Sequence, residues 1–391
     1  MSGADGERET GETGGAEGAI DRDRLAAAVL SEMLEPGQLQ YYALVAEHGA
    51  ARALERLMRE APLLTPVRGY LLRTGDPWAR GRRLIERARG VGARLVLMSD
   101  PEWPRRLCDL ASLTVEDPGA APPIGLWVRG KSSLEQVCER SIALVGARAA
   151  TQYGTHATAE LAAGLVRRGW TVISGAAYGI DGAAHRGALW AEGHTVAVLG
   201  CGVDRPYPTG HARLLGRIAE TGLIISEWPP GSGPRRHRFL IRNRVIAALA
   251  RGVVVTEAAR RSGSRLTARR AQELDRVVMA LPGPVSSAMS LGPHELIRDW
   301  QARLVTSAAD VIAEVGELRD VFAESAGHLE PELEALAARI LNATPQRQAV
   351  SVERLAAACK ASPRQVRAVL PQLVMRGELR ERPEGFTRSA R

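Results

Sequence analysis

Arginine is concentrated in the segment "PRRHRFLIRNRVIAALARG", which runs from Pro234 to Gly252. Five arginines lie within ten residues of it with no acidic residue among them: Arg235, Arg236, Arg238, Arg242 and Arg244. The wider stretch 231–270 holds eleven arginines against one acid, Glu257. A guanidinium presents a planar fork of donors that matches phosphate oxygens. The segment therefore predicts an anion-binding site; the alternative is a solvated basic face whose arginines pair with acids elsewhere.

An aromatic residue lies inside this cluster. Phe239, one of three phenylalanines in the chain, stands between Arg238 and Arg242. An aromatic ring among basic side chains suits stacking on an unpaired nucleic-acid base. Equally, the ring could be a plug in the core beneath a helix.

An apolar stripe indicates the helix that carries these arginines. The stripe consists of Ile241, Val245, Ile246 and Leu249. Its spacing predicts a helix packed on a sheet, with residues 242–244 in the first turn. The N-terminus of a helix carries about half a positive charge, so arginines there are mildly destabilising unless an anion binds. We therefore expect phosphates over a helix start at Asn243.

Short apolar strands alternate with helical segments from Ser141 onward. The predicted strands are 142–146, 171–175, 195–200, 223–227, 253–257 and 277–283. Such a pattern is typical of a parallel sheet covered on both faces. We expect an α/β fold with a Rossmann-like doubly wound parallel sheet. Ligands of such sheets bind at the carboxyl ends of the strands, where most turns here combine glycine with serine or threonine.

Several familiar motifs are missing from these turns. There is no GxxxxGK[ST], and "VGARAATQYG" is not GxGxxG, which disfavours a Walker ATPase and a dinucleotide-dependent dehydrogenase. No HExxH occurs and the four cysteines lack CxxC spacing, so we expect no metal and no other cofactor. Asp181 and His185 are four residues apart; we interpret them as a helix-capping aspartate and a hydrogen-bonded histidine rather than a catalytic pair.

The rest of the chain predicts further domains on both sides of the sheet. Residues 1–19 lack apolar content and should be disordered. A small helical domain of the SAM or helix-hairpin-helix type should occupy 20–108, and the Rossmann-like domain 109–318. A linker at 319–330 should lead to a winged helix at 331–391.

The predicted winged helix rests on three helical patterns followed by a hairpin pattern. One of its helices should begin with a capping box of Ser362 and Gln365, with Pro363 at the first helical position. This domain either grips duplex DNA or docks a protein, since fold alone does not assign function. The basic side chains available for duplex DNA are Arg364, Arg367 and Arg376.

The net charge of +8 favours an anionic partner, although the base composition of a GC-rich genome would also enrich arginine. No apolar run reaches the length of a membrane span, and the acidic, glycine-rich first residues do not form a signal peptide. We therefore expect a cytoplasmic protein with no membrane segment.

Six segments, in this order, resemble the DprA/Smf family of DNA-processing proteins. They are "VGARAATQYG", "SGAAYGIDGAAHRGAL", "AVLGCGVDRPYP", "SEWPPGSGPRRHRFLIRNRVIAAL", "EAARRSGSRLTARRAQE" and "ALPG". Many members also have a C-terminal winged helix. The resemblance implies a protein that is not an enzyme, that binds single-stranded DNA and protects it on entry, and that loads the RecA recombinase during natural transformation. It also implies a homodimer formed through the Rossmann-like domain.

The resemblance assigns roles by position. It implies that Arg148 and Arg236 contact the DNA backbone and that Phe239 contacts a base, while Arg242 and Arg244 match an "RNR" pair around Asn243. The remaining residues that it places in the DNA site are Gly146, Ser174, Gly175, Gly179, Ser264 and Thr267.

The chain departs from the family pattern at a few positions. Ala147 replaces the usual serine of a G-S-R motif, which removes one hydroxyl donor to phosphate. Leu240 replaces the usual proline after Phe239. His294 and the pair Trp300-Gln301 stand where the family usually has Asn and Gly-Ala.

An enzyme is the alternative. The segment "SGSRLTARRAQE" (262–273) loosely resembles the "PGGxGTxxE" turn of Rossmann-like enzymes that hydrolyse nucleoside monophosphates, the phosphoribohydrolases. Glu273 would then be the catalytic acid. A likeness of fold alone is weak support for a function.

Overall fold

The computed structural model describes residues 21–60, 65–115, 117, 120–260, 262–316, 331–346, 349–375, 377–382 and 384–389. The predicted disordered tail 1–19 and the predicted linker 319–330 lie outside these residues. The chain divides into two compact units. The first comprises residues up to Val278 together with Gly283–Glu295; the second comprises Met279–Pro282 and residues from Leu296 onward.

Five helices open the first unit. They are α1 (Arg22–Met33), α2 (Leu39–His48), α3 (Ala50–Arg59), α4 (Thr65–Thr74) and α5 (Pro77–Gly90). Asp21 caps α1 by accepting a hydrogen bond from the amide of Asp23, and Asp76 caps α5 directly before Pro77. The buried stretch 25–30 of α1 packs against α3 and α5 and forms the core of this bundle.

Seven strands of the first unit form one sheet. They are β1 (Ala93–Leu97), β2 (Gly125–Arg129), β3 (Ser141–Val145), β4 (Thr171–Ser174), β5 (Thr195–Leu199), β6 (Leu223–Ser226) and β7 (Gly252–Val255). Their order is β1-β2-β6-β5-β4-β3-β7. The last five are parallel, whereas β1 and β2 pair antiparallel at one edge. The predicted α/β fold with a mostly parallel sheet is confirmed, and its strands come from both sides of the boundary predicted at residue 108.

Six helices of the first unit follow the first five. They are α6 (Leu134–Glu139), α7 (Gln152–Arg167), α8 (Ile180–Trp190), α9 (Ala212–Thr221), α10 (Arg236–Leu249) and α11 (Gly263–Glu273). Strands β3 to β7 are almost entirely buried, as their continuous apolar sequences predict.

The predicted start of α10 is wrong. The helix begins at Arg236, with Arg235 as its N-cap, so residues 242–244 lie in its second and third turns. The apolar stripe begins only at Ile241 because the first turn of α10 carries only exposed and half-buried side chains. The anion-favouring helix start therefore lies next to Pro234 and Arg235, not at Asn243.

The second unit contains three helices and a hairpin in its last part. Two elements, β8 (Val277–Ala280) and α12 (Leu291–Asp299), include residues of both units. The elements that follow are β9 (Arg303–Leu304), α13 (Ala308–Val315), α14 (Pro331–Ala343), α15 (Val352–Ala358), α16 (Pro363–Met375), β10 (Leu379–Arg382) and β11 (Gly385–Arg388).

Helix α16 begins as its sequence predicts. The Ser362 hydroxyl accepts the Gln365 amide at 3.2 Å, and the Gln365 side chain accepts the Ser362 amide at 2.9 Å, which confirms the capping box. Strands β10 and β11 pair antiparallel, and Val350 adds a bridge to Phe386. Among the described residues, no helix is long and apolar enough to cross a membrane.

Candidate functional site

A cleft of about 660 Å³ opens at the carboxyl edge of the sheet in the first unit. Strand β3 has β4 on one side and β7 on the other, so the chain order reverses between β3 and β7. Open α/β sheets bind ligands at such a reversal, because the loops of the two strands diverge there. The cleft walls come from the loops after β3, β4, β5, β6 and β7 and from one face of α10.

Eight of the twelve residues predicted for the DNA site line this cleft. They are Gly146, Arg148, Arg236, Phe239, Arg242, Asn243, Ser264 and Thr267. The other four do not line it: Ser174, Gly175, Gly179 and Arg244. The lining residues of α10 include 239, 242, 243 and 246, which fall on one helical face.

Two of the cleft arginines repel each other. Arg242 is buried, donates from Nη1 to the Val198 carbonyl and leaves its Nε without a partner among the described residues. Burial lowers the pKa of Arg242 to about 10, Asp181 opposes that change, and the charge of Arg148 adds to it. An anion in the cleft would relieve this repulsion. Arg236 is exposed on the same wall and forms no ion pair with another described residue.

Phe239 belongs to an aromatic group at the cleft mouth. Its ring stacks on Tyr207 with centroids 5.1 Å apart and an interplanar angle of 24°. The Arg148 guanidinium carbon lies 5.7 Å from the Phe239 centroid. Phe239 is half-buried and Tyr207 is exposed, so the ring is not a plug enclosed in the core. Sequence reasoning missed Tyr207, although an aromatic residue two positions after "VDR" follows the carboxyl end of β5.

The Asp181 carboxyl group accepts hydrogen bonds from backbone amides of the glycine-rich turns, which were expected to bind a phosphate. Asp181 lies inside α8, whose N-cap is Gly179, and not at the N-cap as predicted. One carboxyl oxygen accepts the amides of Gly175 at 3.1 Å and Ala177 at 3.4 Å, and the amide of Gly146 also reaches the group. Burial raises the pKa of Asp181, against the effects of Arg242 and these amides. The cleft must therefore attract anions through side chains more than through this amide cradle.

The glycines of these loops serve close packing. A Cβ at Gly175 would collide with the Arg242 guanidinium, and one at Gly179, where φ is +74°, would collide with the carbonyls of Ala147 and Arg148. Ser174 is buried and donates to the Leu144 carbonyl at 2.6 Å. These residues shape the cleft from behind its surface.

Arg244 points away from the cleft. Its guanidinium forms two hydrogen bonds, of 2.8 and 2.7 Å, to the Glu227 carboxylate, and both side chains are buried. The Arg242 and Arg244 side chains therefore act on opposite sides of α10, because two residues along a helix differ by about 200° in direction.

A buried carboxylate holds the loop that carries Arg148. Glu257, two residues after the end of β7, accepts the Thr151 amide at 2.8 Å and the Thr151 hydroxyl at 2.6 Å. The Glu257 carbonyl also accepts the Ala147 amide at 2.6 Å. On the facing wall, the Ser262 and Ser264 hydroxyls lie 2.8 Å apart at the start of α11. The cleft thus has a hydrogen-bonded floor beneath the exposed side chains of Arg148 and Arg236.

His185 has the structural role that the sequence predicted. Its Nδ1 lies 2.7 Å from the Thr195 hydroxyl, which itself donates to the Val172 carbonyl, so Nδ1 carries the proton. Burial lowers the pKa of His185 to about 3, and the nearby charges of His211 and Arg242 act in the same direction. The histidine is neutral and enclosed beneath the cleft.

The residue predicted as catalytic acid in the enzyme alternative does not line the cleft. Glu273 is the last residue of α11 and pairs with Arg269 and Arg270, about 9 Å along the helix from Thr267, the nearest residue of α11 that lines the cleft. Asp181 is the one carboxyl group among the lining residues. Within the described residues, no group of three or more His, Cys, Asp or Glu side chains is arranged to hold a metal.

Comparisons with known proteins agree on one family. The model of the family described as DNA recombination-mediator protein A matches residues 94–316. The putative DNA processing protein DprA of Mycobacterium tuberculosis is 42% identical over 369 residues, 92% of each chain. DNA processing protein DprA of Streptococcus pneumoniae is 42% identical over 192 residues, 49% of this chain and 67% of that protein. Its X-ray structure matches with a TM-score of 0.62 and 32% identity, over 76% of this chain and 99% of that one.

Proposed function

The chain belongs to the DNA recombination-mediator protein A family, and from this premise we propose that it binds single-stranded DNA in the cleft at the β3–β7 reversal. The main support is the coincidence of basic and aromatic side chains there. Arg148 and Arg236 are exposed at the mouth, Arg242 lies below them, and Phe239 and Tyr207 offer rings to a base. Arginines tracking a backbone beside stacking aromatics suit single strands of any sequence.

The cleft chemistry favours a polymer over a free nucleotide. Nucleotides at such reversals are usually held by free backbone amides, and Asp181 already occupies those of Gly175 and Ala177. The available donors are instead arginine side chains spread along the cleft, which several phosphates of one strand can reach together. This argues against the phosphoribohydrolase alternative, as does the position of Glu273.

A binding titration tests this function. Single- and double-stranded DNA of equal length are titrated at two salt concentrations with the native chain and with an Arg148→Ala/Arg236→Ala variant. We expect the native chain to prefer the single strand. The slope of log K against log salt concentration should be shallower for the variant than for the native chain by about 1.4, which is about 0.7 for each of two lost phosphate contacts. Equal affinity for both DNA forms, or an unchanged slope, would refute the proposal.

The family resemblance carries the remaining parts of the proposal. We propose that the chain protects incoming single strands in the cytoplasm, loads the RecA recombinase onto them during natural transformation, and acts as a homodimer. RecA-catalysed strand exchange on DNA coated with a single-strand binding protein, measured with and without the chain, tests the loading. Light scattering tests the dimer.

The last part of the second unit is proposed to be a winged helix for duplex DNA. Exposed arginines lie on its hairpin and on α16: Arg367, Arg380, Arg382 and Arg388. Of the residues predicted there, Arg367 also pairs with Glu353, while Arg376 and the side chain of Arg364 lie outside the described part of the chain. Deleting 331–391 should weaken duplex binding and leave the cleft's single-strand affinity unchanged.

A further inference from the structure

A second basic surface lies beside the cleft, on the helical bundle of the first unit. Residues 65–90 contain seven arginines against two acids. Helix α5 buries Gly81, Leu84, Ile85 and Ala88, so its arginines project along two opposite edges. One edge carries Arg80, Arg83 and Arg87 at helical spacing; the other carries Arg82 and Arg89.

The first of these edges is connected to the cleft. Arg87 Nη2 lies 3.6 Å from the Asp204 carboxylate, and Asp204 also accepts the Gly231 amide at 2.6 Å. Three residues after each of these positions the chain reaches the cleft wall, at Tyr207 and Pro234. Three residues span at most about 11 Å, so both cleft loops run directly from the aromatic mouth to α5.

The charge along this route is predominantly positive. Arg205 is exposed between Asp204 and Tyr207, and Arg83 is exposed on α5; neither forms an ion pair with another described residue. Glu86 is exposed on α5 between its two edges, and two acids of the neighbouring α1 segment are already paired. Glu32 binds Arg80 and the Tyr70 hydroxyl, and Glu35 binds Arg238 and the Trp228 indole.

We propose that a single strand leaving the cleft past Tyr207 continues across Arg205 onto Arg87 and Arg83, so that the helical bundle is part of the DNA-binding surface. The proposal rests on single-strand binding in the cleft, and it extends the site beyond residues 94–316. Arg87, whose side chain is half-exposed, would exchange the largely buried Asp204 carboxylate for a phosphate, while Arg83, which forms no ion pair with another described residue, would gain a directly bound anion. Only strands long enough to reach past the cleft would use these two arginines.

Charge-neutral substitutions on the two edges of α5 test the proposal. The test variant is Arg83→Gln/Arg87→Gln; the matched control, Arg82→Gln/Arg89→Gln, removes the same charge from the same helix on its other edge. Each is titrated with oligothymidylates of about 4 and about 16 nucleotides, the range of site sizes in comparable single-strand binders. Thermal melts check that both variants remain folded.

We expect the test variant to bind the long oligonucleotide about 20-fold more weakly at 0.1 M salt, with a salt slope shallower by about 1.4 for two lost contacts. Its affinity for the short one should be unchanged, and the control should bind both like the native chain. Equal losses in test and control variants, or equal losses for both lengths, would overturn the second surface alone. A native chain that binds neither oligonucleotide would overturn the cleft as well.

Discussion

Replacing Arg244 by methionine should damage the fold rather than DNA binding. The family pattern groups Arg244 with Arg242, yet the structure separates their roles. The Arg244 guanidinium donates two hydrogen bonds to the Glu227 carboxylate, and the side chains of Arg244 and Glu227 are 2% and 4% exposed, respectively. Methionine fills a similar length without a charge, so Glu227 would stay buried without its cation.

The expected cost follows from that geometry. Removing one partner of a buried, doubly hydrogen-bonded pair typically costs about 3–5 kcal/mol, because the remaining charge loses its compensation. Replacing both partners with apolar residues of similar size costs much less. We therefore expect Arg244→Met to lower the free energy of unfolding by about 3–5 kcal/mol, and Arg244→Met/Glu227→Leu to regain most of it.

Urea denaturation followed by tryptophan fluorescence measures these differences, and single-strand titrations at low temperature measure binding by the folded fraction. The salt slope of Arg244→Met should equal that of the native chain. A variant that keeps its stability within about 1 kcal/mol and loses about 0.7 from its salt slope would show that Arg244 contacts phosphate. That result would refute the assignment of Arg244 to the core.

Three further outcomes are expected. Since the folded pKa of His185 is about 3 and its ordinary value is 6.5, the unfolded chain binds the extra proton between them. Between these two pKa values, the free energy of unfolding should thus fall with decreasing pH by up to about 1.4 kcal/mol per pH unit. The fall should be smaller in the His185→Asn variant, and urea denaturation midpoints measured at each pH check both expectations. Tyr207→Ala should weaken single-strand affinity by about 1–3 kcal/mol in anisotropy titrations, whereas Tyr178→Ala, outside the cleft lining, should not. Ala147→Ser should tighten it about fivefold, for one hydrogen bond to phosphate; an unchanged Kd would show that this residue does not face the DNA.

The strands of the sheet were predictable because each is buried on both faces. A run such as "IALV" has no polar position to place in water, and glycine marks where it ends. The start of α10 was not predictable from its apolar stripe, because the first turn of that helix carries only exposed and half-buried residues. The stripe reports contact with the sheet and not the extent of the helix. The antiparallel pairing of β1 and β2 to this sheet left no signal in the sequence.

The division of the arginines within α10 was predictable in principle. Phe239, Arg242, Asn243 and Ile246 follow helical spacing and line the cleft together, while Arg244 falls on the opposite side. Successive residues of a helix differ by about 100° in direction, and applying this rotation to the polar residues as well as to the apolar ones predicts that Arg242 and Arg244 lie on opposite sides of the helix. The pairing of Arg244 with Glu227 could not be read this way, since it joins the ends of different elements through the fold.

Asp181 links these features into one argument about the ligand. In a sheet of this kind, glycine-rich turns after β3 and β4 would ordinarily expose amides to a phosphate. Here the Asp181 carboxyl group of α8 accepts hydrogen bonds from those amides, and its charge also stabilises the buried cation of Arg242. The floor of the cleft is thereby closed to a single tightly held phosphate. The exposed positive charge lies at the mouth, on Arg148 and Arg236, where it suits a chain of phosphates lying across the surface with its bases turned toward Phe239 and Tyr207.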